Sequence, residues 1–363
     1  MENRLVAGIT QGDVNSVAYE LIIKLLAENR MNELCTPVLY GSPKVAAYYR
    51  KTLNVESFSL NGIKETTEAN PKRVNIINCV DDNVKVDLGK ETPDSNRASM
   101  DALKYALDQL DKKTIHTLLI SPQGKGSYLL EGSSTLTDYL AKRYEMPDAM
   151  PLYVNAYMRV ACVTDQMNLR EVSSHITLET ISKKLRLLHD CLRFDFTISK
   201  PKIAVLALNP QSGEEETKVL VPAIEQARQK GIMALGPFAA DDFFAERMYR
   251  NFDAVLAMYQ DQGMIPFKSL EVEPGAVYVM GLPVVCTYAL NDTGYNKVGQ
   301  NVTDEQSFRN AFYLGMDVYT HRQQNKELCK NPLPHYDIAV NNNESDLNVE
   351  QIEGVQKDSE EVR

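Results

Sequence analysis

The chain has 363 residues, 44% of them hydrophobic and 24% charged, and a formal net charge of −10. That length allows two core-forming lobes, and the acidic sign excludes the basic face that a nucleic acid or an anionic membrane requires. Much of the charge is local, because from Asp337 to Arg363 eight acids face two bases, which puts −6 there and leaves about −4 on the body.

Six cysteines (Cys35, Cys79, Cys162, Cys191, Cys286, Cys329) show no C-x-x-C spacing, so neither a zinc knuckle nor a disulfide framework is expected. A strand-like start at Leu5 leaves no room for a signal peptide. No apolar run reaches the roughly 18 residues of a membrane span. A reduced, cytoplasmic protein is the expectation.

Taken in order, Leu5–Thr10 predicts a strand that empties into Gln11-Gly12-Asp13-Val14-Asn15, followed by an amphipathic helix from about Val17 to Asn29. Pro37–Ser42 is the next strand, with Pro43 suited to the first position of a helix. Ser95 or Asn96 starts a helix through Leu107, and Thr117–Pro122 is a buried strand that delivers Gln123-Gly124-Lys125-Gly126. Ser133, Ser134 and Thr135 offer caps for the helix that follows. A strand from Tyr157 to Val163, a helix from Leu178 to about Cys191 and a central strand Ile203–Leu208 come next. A helix from Val219 to Lys230 precedes Ile232–Pro237, after which Asp241 or Asp242 caps another. Ala254–Tyr259 is a buried strand ending in a polar loop, Gln260-Asp261-Gln262-Gly263. Ala276–Gly281, Leu282–Cys286 and a helix from Glu305 to about Leu328 complete the body, and beyond Pro334 the chain lacks periodicity and reads as a disordered or loosely attached tail. Alternating strands and helices predict an α/β protein with mostly parallel sheets. Neither a G-x-G-x-x-G after the first strand nor a Walker A sequence is present.

The polar strand ends, read together, resemble the 4-hydroxythreonine-4-phosphate dehydrogenase family of vitamin B6 biosynthesis. The segments that carry the likeness are Gly8–Asp13, Leu208–Glu214, Gly236–Asp241, Asp253–Gly263, Gly281-Leu282-Pro283 and Asp304–Arg309, in order, between Gly8 and about Tyr319. The resemblance implies a two-lobed fold like isocitrate and isopropylmalate dehydrogenases. Its lobes would be 1–131 with 286–335, and 132–285, with 336–363 as an acidic tail. It also implies a homodimer, NAD, and a divalent metal acting as a Lewis acid on a phosphorylated hydroxy-amino acid.

The family's metal-binding histidines fall at Gln166, Gln211 and Gln260 in this chain. An amide oxygen is a weak ligand where imidazole is a good one. In the substrate positions Thr137 and Lys268 are kept, while Leu136, Tyr278 and Cys286 replace a histidine, an asparagine and an arginine. The dinucleotide loop reads Asn291 to Asn301, with Asn291, Thr293, Gly294 and Gly299 as the cofactor positions and Tyr295 bulky where the family is aliphatic. Near the N-terminus, family glycines become Ser16 and Ala18. Asp13, Asp241, Asp261, Gly213, Glu214 and Gly263 remain to shape the cleft, with Lys268, Asp241 and Asp261 as catalytic candidates.

Each feature has a plainer alternative. The three glutamines either fill a vacated site or bind a polar ligand through amides that donate and accept. Lys125 and Lys268 form an anion site or are solvated. Asp241, Asp242 and Asp261 hold Mg²⁺ or cap helices. Cys286 is a nucleophile or an inert buried thiol. Tyr153, Tyr157 and Tyr259 stack on a ligand or pack. Two functions stay open: a binding or regulatory homologue without the metal-dependent reaction, and an NAD-dependent oxidoreductase of the family type.

Overall fold

A computed structural model describes residues 4–27, 31–55, 58–81, 83–270 and 274–331. Met1–Asn325 forms one compact unit and a second begins at Lys326. Of the second, the description covers the end of the helix Gln306–Leu328 and the residues to Asn331; the tail 336–363 lies outside the described residues.

Among the described residues twelve strands make one sheet. They are β1 (Val6–Thr10), β2 (Thr36–Tyr40), β3 (Leu60–Gly62), β4 (Val74–Ile77), β5 (Thr117–Ile120), β6 (Met150–Val154), β7 (Arg159–Thr164), β8 (Lys202–Leu206), β9 (Met233–Phe238), β10 (Ala254–Tyr259), β11 (Ala276–Met280) and β12 (Cys286–Ala289). Their order is β3-β4-β2-β1-β5-β12-β11-β6-β7-β10-β8-β9. Among the described residues eight of the eleven pairings are parallel, so the α/β, mostly parallel expectation holds. The antiparallel pairings all involve β11 or β6. The strands from β3 to β12 therefore run one way and those from β7 to β9 the other.

Helices cover both faces of each half, which is why the strands read as continuous apolar runs. On β10, Leu256 and Met258 join Leu185 and Leu188 of the helix Leu178–Phe194. Their alternates Val255 and Ala257 join Phe243 and Phe267 on the opposite face, as the two-residue period of a strand requires. In the other half Ile9 packs with Leu21 and Leu25 of the helix Ala18–Leu26, while Leu118 and Ile120 pack with Leu103 and Leu107 of the helix Pro93–Asp111.

Several boundaries differ from expectation for identifiable reasons. The helix assigned to Ser95 or Asn96 begins at Pro93, because Thr92 and Ser95 form a reciprocal capping box. Asp241 and Asp242 lie in the first turn of the helix Ala240–Ala245, and neither side chain caps it. The apolar stretch Leu282–Cys286 leads into β12, which starts at Cys286. The polar stretch after β10 is not a loop but the first turn of the helix Gln260–Ser269. Gly263 is required inside that helix because a Cβ there would stand 2.8 Å from Val160 Cγ1 and 3.1 Å from Ala257 Cβ. Among the described residues no helix is long and apolar enough to cross a membrane.

The helix Gln306–Leu328 is tied to the sheet by a buried polar network. Arg322 donates from Nε to Asp195 Oδ1 at 2.7 Å and from Nη2 to the Tyr278 hydroxyl at 2.5 Å, and that hydroxyl donates to Asp195 Oδ2 at 2.7 Å. Removing the guanidinium would leave a buried carboxylate unpaired. Arg322→Ala is expected to lower stability by about 3–5 kcal/mol, read from urea denaturation; a midpoint equal to that of the wild type would rule out this anchoring role.

Candidate functional site

A cleft of about 280 Å³ gathers chain from both halves of the sheet. The first half supplies Ser121 to Gln123 and Lys125 after β5, and Leu290 to Thr293 after β12. The second supplies Gln166 after β7 and one stripe of the helix after β10. That stripe is Gln260, Met264 and Lys268, spaced four residues apart and so on one helix face. The start of the helix Leu136–Arg143, capped by Thr135, brings in Leu136 and Thr137, and β6 brings Tyr153.

Of the positions singled out from sequence, the cleft thus collects Leu136, Thr137, Gln166, Gln260, Lys268, Asn291 and Thr293. Lys125 joins them, so two cationic side chains line one cleft. Gln211 is elsewhere, on an exposed loop after β8. Asp241 and Asp261 are exposed and line a separate apolar groove with Phe244, Ile265 and Leu270. Tyr278 is buried in the network with Asp195 and Arg322. Cys286 is fully buried, and burial pushes its thiol up to about 12, which keeps it protonated and inert. Gly294 and Gly299 lie against the helix Ala18–Leu26 rather than in the cleft.

Of the three glutamines that line the cleft, Gln166 and Gln260 are bonded to each other. The Gln166 N–H donates to Gln260 Oε1 at 3.0 Å, with Gln166 held at φ 48°, a left-handed conformation that a non-glycine residue adopts only when its surroundings enforce it. Gln262, beside them in sequence, is structural: its Oε1 accepts from the Met258 N–H at 2.8 Å and its Nε2 donates to the Ala207 carbonyl at 2.7 Å.

Some cleft residues escaped the sequence reading. Tyr288 lines the wall two residues beyond Cys286 on the same face of β12, and its hydroxyl meets Thr137. Gln123 is 9% exposed, and neither amide atom has a hydrogen-bond partner; Asn291 Oδ1 is likewise unpartnered. Such groups cost about 1–3 kcal/mol each until something satisfies them. Glu216, not Glu214, shapes the loop that carries Gln211. Its buried carboxylate accepts from the N–H groups of Leu208, Asn209 and Gly213 at 3.0, 2.9 and 2.7 Å, while Glu214 is exposed and pairs with Lys218. Although burial pushes Glu216 up, the amide bonds outweigh it and hold the carboxylate below its ordinary range.

A sequence model described as "Pyridoxal phosphate biosynthetic protein PdxA" matches residues 33–315. The chain belongs to this family. The 4-hydroxythreonine-4-phosphate dehydrogenase of Bacteroides thetaiotaomicron is 41% identical over 342 residues, 92% of this chain and 93% of that protein. The enzyme of the same name from Sulfurihydrogenibium is 31% identical, covering 85% of this chain and 96% of that one. The fold is shared with the crystal structure of a 4-hydroxythreonine-4-phosphate dehydrogenase from Klebsiella pneumoniae at a TM-score of 0.76 and 23% identity, over 87% of this chain and 100% of that one.

Set beside the metal that the family resemblance implies, the donor set here does not fit. The positions in question hold neutral amides. Gln260 Oε1 already accepts a hydrogen bond, and Gln211 stands outside the cleft. Of the carboxylates adjacent to these positions in sequence, Asp165 accepts from the Tyr153 hydroxyl at 3.2 Å and Asp261 lines the separate groove. No group of three or more His, Cys, Asp or Glu side chains converges among the described residues.

Asp165 is itself informative. Burial pushes its carboxyl above the ordinary range, and the Tyr153 hydrogen bond and Lys184 only partly oppose this. The folded state then holds the proton more tightly than the unfolded chain. Its contribution is favourable below the ordinary carboxylate pKa and is lost as pH rises through the folded-state value. Asp165→Asn is therefore expected to stabilise the protein at neutral pH, with the gain disappearing under acid. Thermal melts across that range check this, and a gain that grows on acidification would contradict it.

Proposed function

We propose that this family member has lost the metal-dependent dehydrogenase reaction and retains its cleft as a binding site for a small anionic or phosphorylated ligand, serving as a binding or regulatory homologue. The observation that carries this reading is the Gln166–Gln260 contact, in which the side chain at one family metal position is bonded to the backbone at another. Lys125 and Lys268 supply positive charge, and the unpartnered Gln123 amide and Asn291 Oδ1 supply unmet hydrogen bonding. A cytoplasmic homodimer of two-lobed subunits, as the family resemblance implies, is part of the proposal. Nothing in it requires a nucleic acid or a membrane.

The second reading is an NAD-dependent oxidoreductase acting on 4-phosphohydroxy-L-threonine, or a related phosphorylated hydroxy acid, in pyridoxal phosphate biosynthesis. The 41% identity to the Bacteroides thetaiotaomicron enzyme over nearly the whole chain favours it. Elemental analysis of the purified protein, combined with turnover of 4-phosphohydroxy-L-threonine and NAD, separates the two. We expect no stoichiometric transition metal and no turnover, together with a rise in melting temperature on adding inorganic phosphate that Lys125→Ala/Lys268→Ala abolishes. Stoichiometric zinc or turnover at rates like those of the family would establish the second reading instead.

A further inference from the structure

We infer that the segment from Thr293 to Thr303, which follows the cleft wall, is latched by Tyr295 onto the start of the first helix and offers no seat to a nicotinamide dinucleotide. This goes beyond the loss of the metal and stands on different residues.

The latch is the Tyr295 hydroxyl, which donates to Asp13 Oδ2 at 2.6 Å across 282 positions of sequence. Asp13 is fully buried and held from its other sides: the Ser95 hydroxyl donates to the same oxygen at 3.2 Å, and the Asn15 N–H donates to Oδ1 at 2.8 Å. Around this bond the two segments are stitched together. The Val17 N–H donates to the Thr293 carbonyl at 3.0 Å, the Gly299 N–H donates to the Glu20 carboxylate, and Lys24 Nζ donates to the Thr303 carbonyl at 2.6 Å.

A helix start that receives a phosphate must keep its first N–H groups free and the approach to them open. Here the Val17 N–H is taken by Thr293 and the Ala18 N–H by the Ser16 hydroxyl at 3.1 Å. The approach is filled as well. Gly294, at φ +53°, lies so close that a Cβ would stand 2.8 Å from Val17 Cγ1. Its glycine is thus accounted for by packing within the chain, with no ligand needed to explain it. Ser16 and Tyr295 stand where the family resemblance implies a glycine and an aliphatic residue, so the groups that close this site are the ones in which this chain departs.

The test titrates the full-length protein with NAD⁺ by calorimetry and follows amide hydrogen exchange by mass spectrometry, for the wild type and for Tyr295→Phe, which removes only the hydroxyl. The expected result is no saturable NAD⁺ binding to the wild type, slow exchange across 293–299, and an acceleration there of about tenfold or more in Tyr295→Phe, the scale of one hydrogen bond to a carboxylate. Saturable binding of NAD⁺ by the wild type would overturn the inference, as would unchanged exchange in Tyr295→Phe. Neither readout depends on whether the protein holds a metal, so this inference and the proposed function fail separately.

Discussion

The structure depends on a reversal of strand direction in the middle of its sheet. β11 and β6 are antiparallel to their neighbours, and they join two parallel half-sheets that point in opposite senses. In a parallel sheet the functional loops follow the carboxyl ends of the strands, so a single half-sheet offers one row of such loops. Joining two halves through a short antiparallel step lets the ends of β5 and β12 share one cleft with those of β7 and β10. The same central strands also carry the buried anchor: Tyr278 on β11 binds Asp195 and Arg322 and fixes the helix Gln306–Leu328 to the sheet. A tyrosine that looks like an altered substrate residue is thus part of the frame that positions the cleft.

How much of this was legible in the sequence follows from what each signal encodes. Apolar runs between polar punctuation marked β1, β2, β5, β8 and β10, because strands buried on both faces have few other ways to read. The step through β6 was missed, since Met150–Val154 carries a proline and no clear alternation. Gln260–Gly263 reads as a loop in the sequence because a glycine, and Pro266 three residues later, depress helix propensity. Tight packing on Val160 and Ala257 overrides that preference and makes the glycine necessary. Cys286 shows a different limit. Matching a position to a family locates it along a strand but not its depth, and one period of the pleat separates the buried Cys286 from Tyr288 in the wall. Thr92 was readable in principle, since a threonine followed by proline and then by serine three positions on is a helix-start pattern.

An imidazole and an amide at these positions differ in what each leaves unsatisfied. Side chains that converge on a metal expose lone pairs that nothing else in the site is placed to use. A glutamine carries donor and acceptor together and can close a network with the backbone of a neighbouring loop, as the Gln260 oxygen does with the Gln166 N–H. The loops that surround the site do not need a cation to hold them. Glu216 gathers the amides of Leu208, Asn209 and Gly213, Gln262 ties the ends of β10 and β8, and the Thr164 hydroxyl bonds the Met258 carbonyl at 2.9 Å.

The shape of these loops rests on bonds within the chain. Where binding energy and folding energy are one quantity, as in structural zinc sites, removal of the metal unfolds the domain. Here the bonds that shape each loop run to carboxylates, amides and carbonyls of the chain itself. The unmet groups lie instead at Gln123 and Asn291, on the wall formed by the other half of the sheet. What that wall offers a ligand is the Gln123 amide, the Lys125 ammonium and Asn291 Oδ1.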